Sequence, residues 1–249
     1  MLPAILEYAA PTTLDEAIAL IDSRGDAIFD AGNPSLIHDL KARRLDVSLL
    51  IDLRRLPGMD MIVVSDAAIE IGGAVTLRTL AADTRVLQHF PALAAAAESA
   101  GDPQSRGMTT IAGSIDYDRA ESPLASVLMA LGASMTLHES AKGVTRTVAD
   151  ALADNVGRMI LSSFSVPLSP GTCTTDSYLH PASLAPLVSV AVYNSGDTRR
   201  VAIAGSVRRA VVADSIEAAL SGCDWFDVLG FSAEYRAARA QVMAGRLGA

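Results

Sequence analysis

Aromatic side chains make up only 4% of this 249-residue chain, although half of its residues are hydrophobic. The apolar mass is therefore mostly Ala, Val, Leu and Ile, which suits helices packed on sheets, and the length suffices for one large or two small domains. Basic residues are also in the minority. Twenty Lys and Arg face 28 Asp and Glu, a formal charge of -8. That balance repels phosphate backbones, and no basic cluster with interleaved aromatics offsets it, so no nucleic-acid partner is expected. Cysteine is nearly absent. Cys173 and Cys223 stand far apart without a C-x-x-C spacing, which argues against a disulfide, a metal site or a redox pair and for buried or incidental thiols. The best apolar run, Phe90 to Ala97, is closed by Glu98 and falls well short of the roughly 20 residues of a membrane helix. Met1–Ala10 contains Glu7, with no positive residue ahead of an apolar run. No secretory signal or membrane insertion is expected, and the location expected is cytoplasmic. His38, His89, His138 and His180 are scattered, with no H-E-x-x-H and no paired metal spacing, and no G-x-S-x-G elbow or Walker A loop occurs.

The patterns present are those of a mixed chain. Thr13-Leu14-Asp15-Glu16 is a capping box in which the Thr13 hydroxyl accepts the Glu16 amide and Glu16 returns a bond. Leu14, Ala17, Ile18 and Ile21 then form one apolar stripe on a helix ending near Arg24-Gly25. Ala27-Ile28-Phe29 reads as a strand, Ala31 to Pro34 as a turn, Ser35 as the cap of a second helix, and Val47 to Leu53 as a further strand. This crossover argues for parallel pairing. The middle of the chain reads as short strands at Met61–Val64 and Ile69–Ile71, a helical turn from Leu77, and an Ala-rich helix Pro91 to Ala100. A helix Pro123 to Leu131 and strands at Ala133–Leu137 and Ile160–Val166 follow. Leu168 to Pro181, with two prolines, a glycine and several hydroxyls, reads as a linker. After it come strands Val188–Tyr193 and Val201–Ala204 about an Asn194-to-Asp197 turn, a helix capped by Asp214 with Glu217, and a last helix capped by Ser232. The expected class is α+β. Its units are a domain at 1–167, with subdomains at about 1–56 and 57–167, and a smaller one at 170–249 built from a short antiparallel sheet with helices.

Two glycine loops offer ligand chemistry. Ala31-Gly32-Asn33-Pro34-Ser35-Leu36 lies between a strand and a helix, where peptide N–H groups converge on a partly positive helix start. Pro34 withholds one donor. Ser105 to Ser114 collects Arg106, Thr110, Ile111, Ala112, Gly113 and Ser114 in one polar stretch that can present donors to a pyrophosphate, with Arg106 as counter-charge or as a structural tie. Each loop alone reads first as an ordinary turn; together they suit a ligand containing a diphosphate. Asp116, Asp118 and Glu121 stand beside the second loop, either to meet ligand hydroxyls or to face solvent.

These pieces, in this order, resemble the flavin-binding medium subunit of the molybdenum hydroxylases, the family of xanthine dehydrogenase and carbon monoxide dehydrogenase. Pro11 to Ala17 resembles the opening helix, and Ala31-Gly32-Asn33-Pro34-Ser35 the first glycine loop. Ile69 to Leu77 resembles an Ile-Gly-Ala-x-Thr-Thr stretch, and Gln104-Ser105-Arg106 with Thr110 to Ser114 the Gln-Ile-Arg and Thr-Ile-Gly-Gly-Asn/Ser loop. The resemblance implies an FAD-binding domain of the PCMH type, with FAD between the two N-terminal subdomains and its diphosphate against both loops. The implied cofactor residues are Ala31 to Leu36, Arg106, Thr110 to Ser114 and Asp118. It also implies a small [2Fe-2S] subunit and a large molybdopterin subunit as partners, in a dimer of heterotrimers, with this chain as the electron outlet to an external acceptor. Three of the departures from the pattern bear on the cofactor. Thr109 and Ala112 each add a Cβ where glycine is usual beside the phosphate, and Pro123 stands where an aspartate usually meets the flavin. A cofactor-free scaffold subunit is the alternative those departures suggest.

Overall fold

The computed structural model describes residues 6–115, 122–140, 142–153, 158–181, 186–205, 207–228 and 230–248. Three sheets organise them. In the first unit β1 (Glu7–Ala9), β2 (Ala27–Asp30) and β3 (Leu49–Asp52) form a parallel sheet in the order β1-β3-β2. The expected parallel pairing of the two longer strands is present, and β1, too short to stand out, adds an edge. Helices α1 (Leu14–Ser23) and α2 (Pro34–Lys41) connect the strands. Thr13 caps α1 through the Glu16 amide, while the Glu16 carboxylate takes the amide of Thr12. The helix buries Ala17 and Ile21 against Leu49, Ile51 and Leu53.

The middle unit is built on an antiparallel sheet of order β4-β5-β8-β6-β7. Its strands are β4 (Ile62–Val64), β5 (Ala68–Gly72), β6 (Ser134–His138), β7 (Val144–Thr147) and β8 (Ile160–Pro167). Between β5 and β6 run α3 (Leu77–Ala82), α4 (Thr84–His89), α5 (Pro91–Ser99), α6 (Pro103–Met108), α7 (Ile111–Ser114) and α8 (Pro123–Leu131). Helix α9 (Val148–Ala153) lies between β7 and β8. Proline or a capping Asp, Ser or Thr begins each of α3 to α8, because these supply the fixed φ or the side-chain acceptor that a helix start lacks. Every residue of α8 is buried, and Gly132 ends it in the left-handed region at φ 73°.

The stretch read as a linker is mostly a strand. β9 (Thr172–Leu179) joins β10 (Pro186–Ser195), β11 (Thr198–Ala204) and β12 (Val211–Ala213) in an antiparallel sheet of order β12-β11-β10-β9. Its hydroxyl-rich composition suits an edge strand, where Thr174 and Thr175 donate to the carbonyls of Val192 and Val190. Strand β10 is covered on both faces. Val188, Val190 and Val192 pack with Ala240, Met243 and Ala244 of α11 (Ala233–Arg246), whereas Ala191 and Tyr193 join the core that contains α8. Helix α10 (Ile216–Gly222) is capped by Ser215, which accepts the Ala218 amide, rather than by Asp214. Ser232 caps α11 as expected. Arg236 of α11 is fully buried and donates to the carbonyls of Leu187 and Phe226, fastening the helix across the sheet.

Candidate cofactor site

The two glycine loops meet. Thr110 donates its hydroxyl to the Ala31 carbonyl at 2.8 Å and its amide to the Gly32 carbonyl at 3.1 Å. Glycine is needed on both sides of this contact. A Cβ on Gly113 would lie 2.3 Å from the Gly32 carbonyl oxygen, and one on Gly32, at φ 100°, would lie 2.7 Å from the Thr110 methyl. A third segment backs the junction: the amides of Ile111 and Ala112 donate to the carbonyls of Val75 and Gly73, and that of Leu77 to Thr109. The stretch from Gly72 to Leu77, singled out by resemblance alone, is thus the floor on which the second loop rests.

Local chemistry explains the shape of the first loop. The Asp30 carboxylate accepts the amides of Gly32 and Asn33 at 2.9 Å each, making a tight turn at the end of β2. Asn33, rather than Ser35, caps α2 by accepting the Ser35 amide, and Pro34 occupies the first helical position. That order follows from chemistry, since proline cannot donate and its fixed φ suits the first turn. Ser35 is left exposed, while Leu36 turns into the core.

The second loop is two short helices, α6 and α7, with extended Thr109 and Thr110 between them. The Thr110 hydroxyl accepts the Gly113 amide, its carbonyl accepts the Ser114 amide, and the Ser114 hydroxyl donates to the Ile111 carbonyl. The donors expected to face a ligand from Thr110 to Ser114 therefore have acceptors within the protein. Ile111 is fully buried. Arg106 realises the structural-tie reading: it donates to the Gly101 carbonyl and the Glu98 carboxylate, both at the α5–α6 corner. Asp116, Asp118 and Glu121 lie outside the described residues.

The two added Cβ atoms do not obstruct the junction. Thr109 has φ -76°, Ala112 lies within α7, and Arg43 is the one non-glycine residue at positive φ among those described. The Ala112 methyl points toward Gly73 and packs on the main core; a Cβ built on Gly73 would stand 3.3 Å from it. The absent side chain of Gly73 makes the room that Ala112 fills. Pro123 opens α8 and is buried at its start.

One charged cluster beside the first loop escaped the sequence reading. Arg54 makes a two-pronged ion pair with Asp52, from Nε to Oδ1 at 2.9 Å and from Nη2 to Oδ2 at 2.8 Å, while the Tyr8 hydroxyl donates to Asp52 at 2.7 Å. Burial of Asp52 opposes its charge, but the bonds from Arg54 and Tyr8 prevail and hold its carboxyl at about 2. The same bond to Asp52 raises the Tyr8 hydroxyl. Arg54 Cδ approaches within 3.6 Å of the space a Gly32 side chain would occupy. The only sequence cue is Asp52-x-Arg54 after a buried strand, which has many ordinary explanations.

Residues 4–169 match the family described as the FAD binding domain in molybdopterin dehydrogenase. The chain belongs to that family. The domain that defines the family binds FAD. Among relatives, the alpha subunit of the 6-hydroxypseudooxynicotine dehydrogenase complex of Paenarthrobacter nicotinovorans is 35% identical over 55% of this chain and 46% of its own length. The nicotine 6-hydroxylase medium subunit of the same organism is 27% identical over 90% of this chain and 82% of its own. A structure of carbon monoxide dehydrogenase from Hydrogenophaga pseudoflava superposes with a TM-score of 0.90 at 24% identity, covering 99% of this chain and 96% of that one. The agreement in fold extends through the C-terminal sheet, beyond the matched FAD binding domain. Glycine-limited contact of the loops, without steric conflict from Thr109 or Ala112, fits the cofactor that this family carries. Among the described residues no three or more His, Cys, Asp or Glu side chains group to hold a metal ion, and no helix is long and apolar enough to cross a membrane.

Proposed function

We propose that this chain is the electron-transfer subunit of a molybdenum-containing hydroxylase or dehydrogenase. It would take electrons from the [2Fe-2S] clusters of a small partner subunit and pass them to an external acceptor, while a large molybdopterin subunit oxidises the substrate. The observation that carries the reading is the close contact of Gly32 with Gly113 and Thr110, within a fold that runs along nearly the whole chain. FAD, when bound, would supply the redox chemistry. The protein's share is positional. Thr110 ties the second loop to the first, Asn33 and Pro34 set the start of α2, and Gly73 seats Ala112 below the loop. Residues 31–36 and 110–114 would frame the diphosphate, and Asp118 would serve the flavin side.

The three-part division at about 1–56, 57–167 and 170–249, the cytoplasmic setting and the dimer of heterotrimers belong to the same proposal. A cofactor-free scaffold is the second reading. It is favoured by one observation: Asp30 holds the amides of Gly32 and Asn33, and the amides from Thr110 to Ile115 have protein acceptors. Native purification separates the two. Yellow protein with an oxidised-flavin absorbance band, accompanied by iron–sulfur and molybdenum subunits, is expected. Colourless protein that stays without flavin in the presence of its partners would replace the first reading with the second.

A further inference from the structure

We propose that Arg54 supplies the cationic contact to the diphosphate of the cofactor, and that Asp52 and Tyr8 are the residues that position it. The proposal rests on the reading that this chain retains FAD. Three observations lead to it. First, the arginine that the sequence offered for this role is committed elsewhere, since Arg106 donates to Gly101 and Glu98. Second, the loop amides that would otherwise bind an anion have partners: Gly32 and Asn33 on Asp30, Ser35 on Asn33, and Thr110 through Ile115 on carbonyls or the Thr110 hydroxyl. Third, Arg54 borders Gly32, the residue at which the two loops join, with its side chain half exposed.

The donor inventory of the guanidinium makes the case specific. Of its five N–H groups, one on Nε and one on Nη2 are taken by Asp52. The other three have no acceptor among the described residues. Asp52 is nearly fully buried, caps the turn Leu53–Arg55 by accepting the Arg54 amide, and receives the Tyr8 hydroxyl, so its position is set from three sides. A planar fork held on one edge by a fixed carboxylate presents its remaining edge in a defined direction, which is the geometry that phosphate oxygens accept. Because Asp52 cancels the charge of Arg54 and Asp30 adds a negative one nearby, recognition here depends on directed N–H groups. A general positive field would not arise.

The test is titration of the full-length apo protein with FAD and with riboflavin, which lacks phosphate, followed by flavin fluorescence. Arg54→Met is expected to weaken FAD about 10- to 100-fold, the loss typical of a charged hydrogen-bonding partner, and to leave riboflavin unchanged. Arg54→Lys, which keeps the charge without the fork, should fall between. Asp52→Asn should produce a smaller FAD-selective loss while Arg54 remains, a readout that a merely structural role would not give. Since Arg54→Met leaves a buried carboxylate without its main partner, the double variant Asp52→Asn/Arg54→Met guards against a folding artefact and should show the same FAD-selective loss while melting closer to wild type than Arg54→Met does. Equal binding of FAD by wild type and Arg54→Met, or equal losses for FAD and riboflavin, overturns the assignment of Arg54 alone. Failure of wild type to bind FAD, with partner subunits present, removes the flavin reading and this proposal with it.

Discussion

Two junctions in this molecule are built in opposite ways. Where the glycine loops meet, backbone lies on backbone: Gly113 faces the Gly32 carbonyl, and Thr110 bonds Ala31 and Gly32. Where the middle unit meets the C-terminal sheet, the contact is made by side chains. Helix α8 is buried all round, between α5 on one side and β10 and β11 on the other. Ser126 and Ser189 share a hydrogen bond at 2.8 Å inside that seam, and Arg200 donates to the Ala130 carbonyl near the end of the helix. The first junction is limited by shape. The second is held by burial, with a few polar bonds fixing its alignment. A scaffold can tolerate small losses of stability, but a cofactor cradle fails on a displacement of an ångström or so, which is why glycine sits at the first and leucine at the second.

The sharpest way to break the comparison is to damage each junction and compare stability with flavin binding. Leu128→Ala, at a fully buried position of α8, should cost about 2–5 kcal/mol in denaturant unfolding through transfer and cavity terms. Flavin affinity of the protein that remains folded should change little. Gly113→Ala should cost less stability, about 1–3 kcal/mol as for other overpacked sites, yet abolish measurable flavin binding, because the added methyl parts the loops. Equal effects of the two variants on flavin binding would show that the junctions are not independent.

Acid gives a milder probe of the loop side. The folded-state carboxyl of Asp52 is lowered from 3.8 to about 2. Its contribution to stability is complete above about pH 4 and is lost as the pH falls through 4 toward 2. A stability–pH profile should therefore be steeper below pH 4 in wild type than in Asp52→Asn, and parallel profiles would refute the cluster's contribution. The smallest effect is expected from Ala112→Gly, at about 0.5–1 kcal/mol for glycine in a helix. Because the methyl faces Gly73 and the core, flavin binding should be no tighter in that variant. A gain in affinity would show that Ala112 does obstruct the phosphate.

Both glycine loops were legible as short patterns of glycine, hydroxyl and proline, and the resemblance placed them in a shared cradle. Their donor assignment was not legible. Asp30 precedes the first loop as an ordinary strand-end residue, and only its folded rotamer reveals that it takes two of the amides. Arg106 and Arg54 carry the same charge on paper. One is bound into the α5–α6 corner, and the other stands beside Gly32.

Local order was within reach of the sequence wherever it depends on neighbours along the chain. Thr13 and Ser232 capping, the Pro91 and Pro123 helix starts, the parallel first unit and the hairpin at Gly196 all follow from turn chemistry and periodicity over a few residues. Strand β9 did not, because its threonines and serine look like a linker until β10 offers them a ladder. That Arg54 stands beside Gly32, that the Ala112 methyl turns onto Gly73 and that Thr110 bonds Ala31 and Gly32 depend on segments roughly 20 to 80 residues apart arriving at one place. Such contacts leave no periodic trace in the chain, and tertiary packing alone decided them.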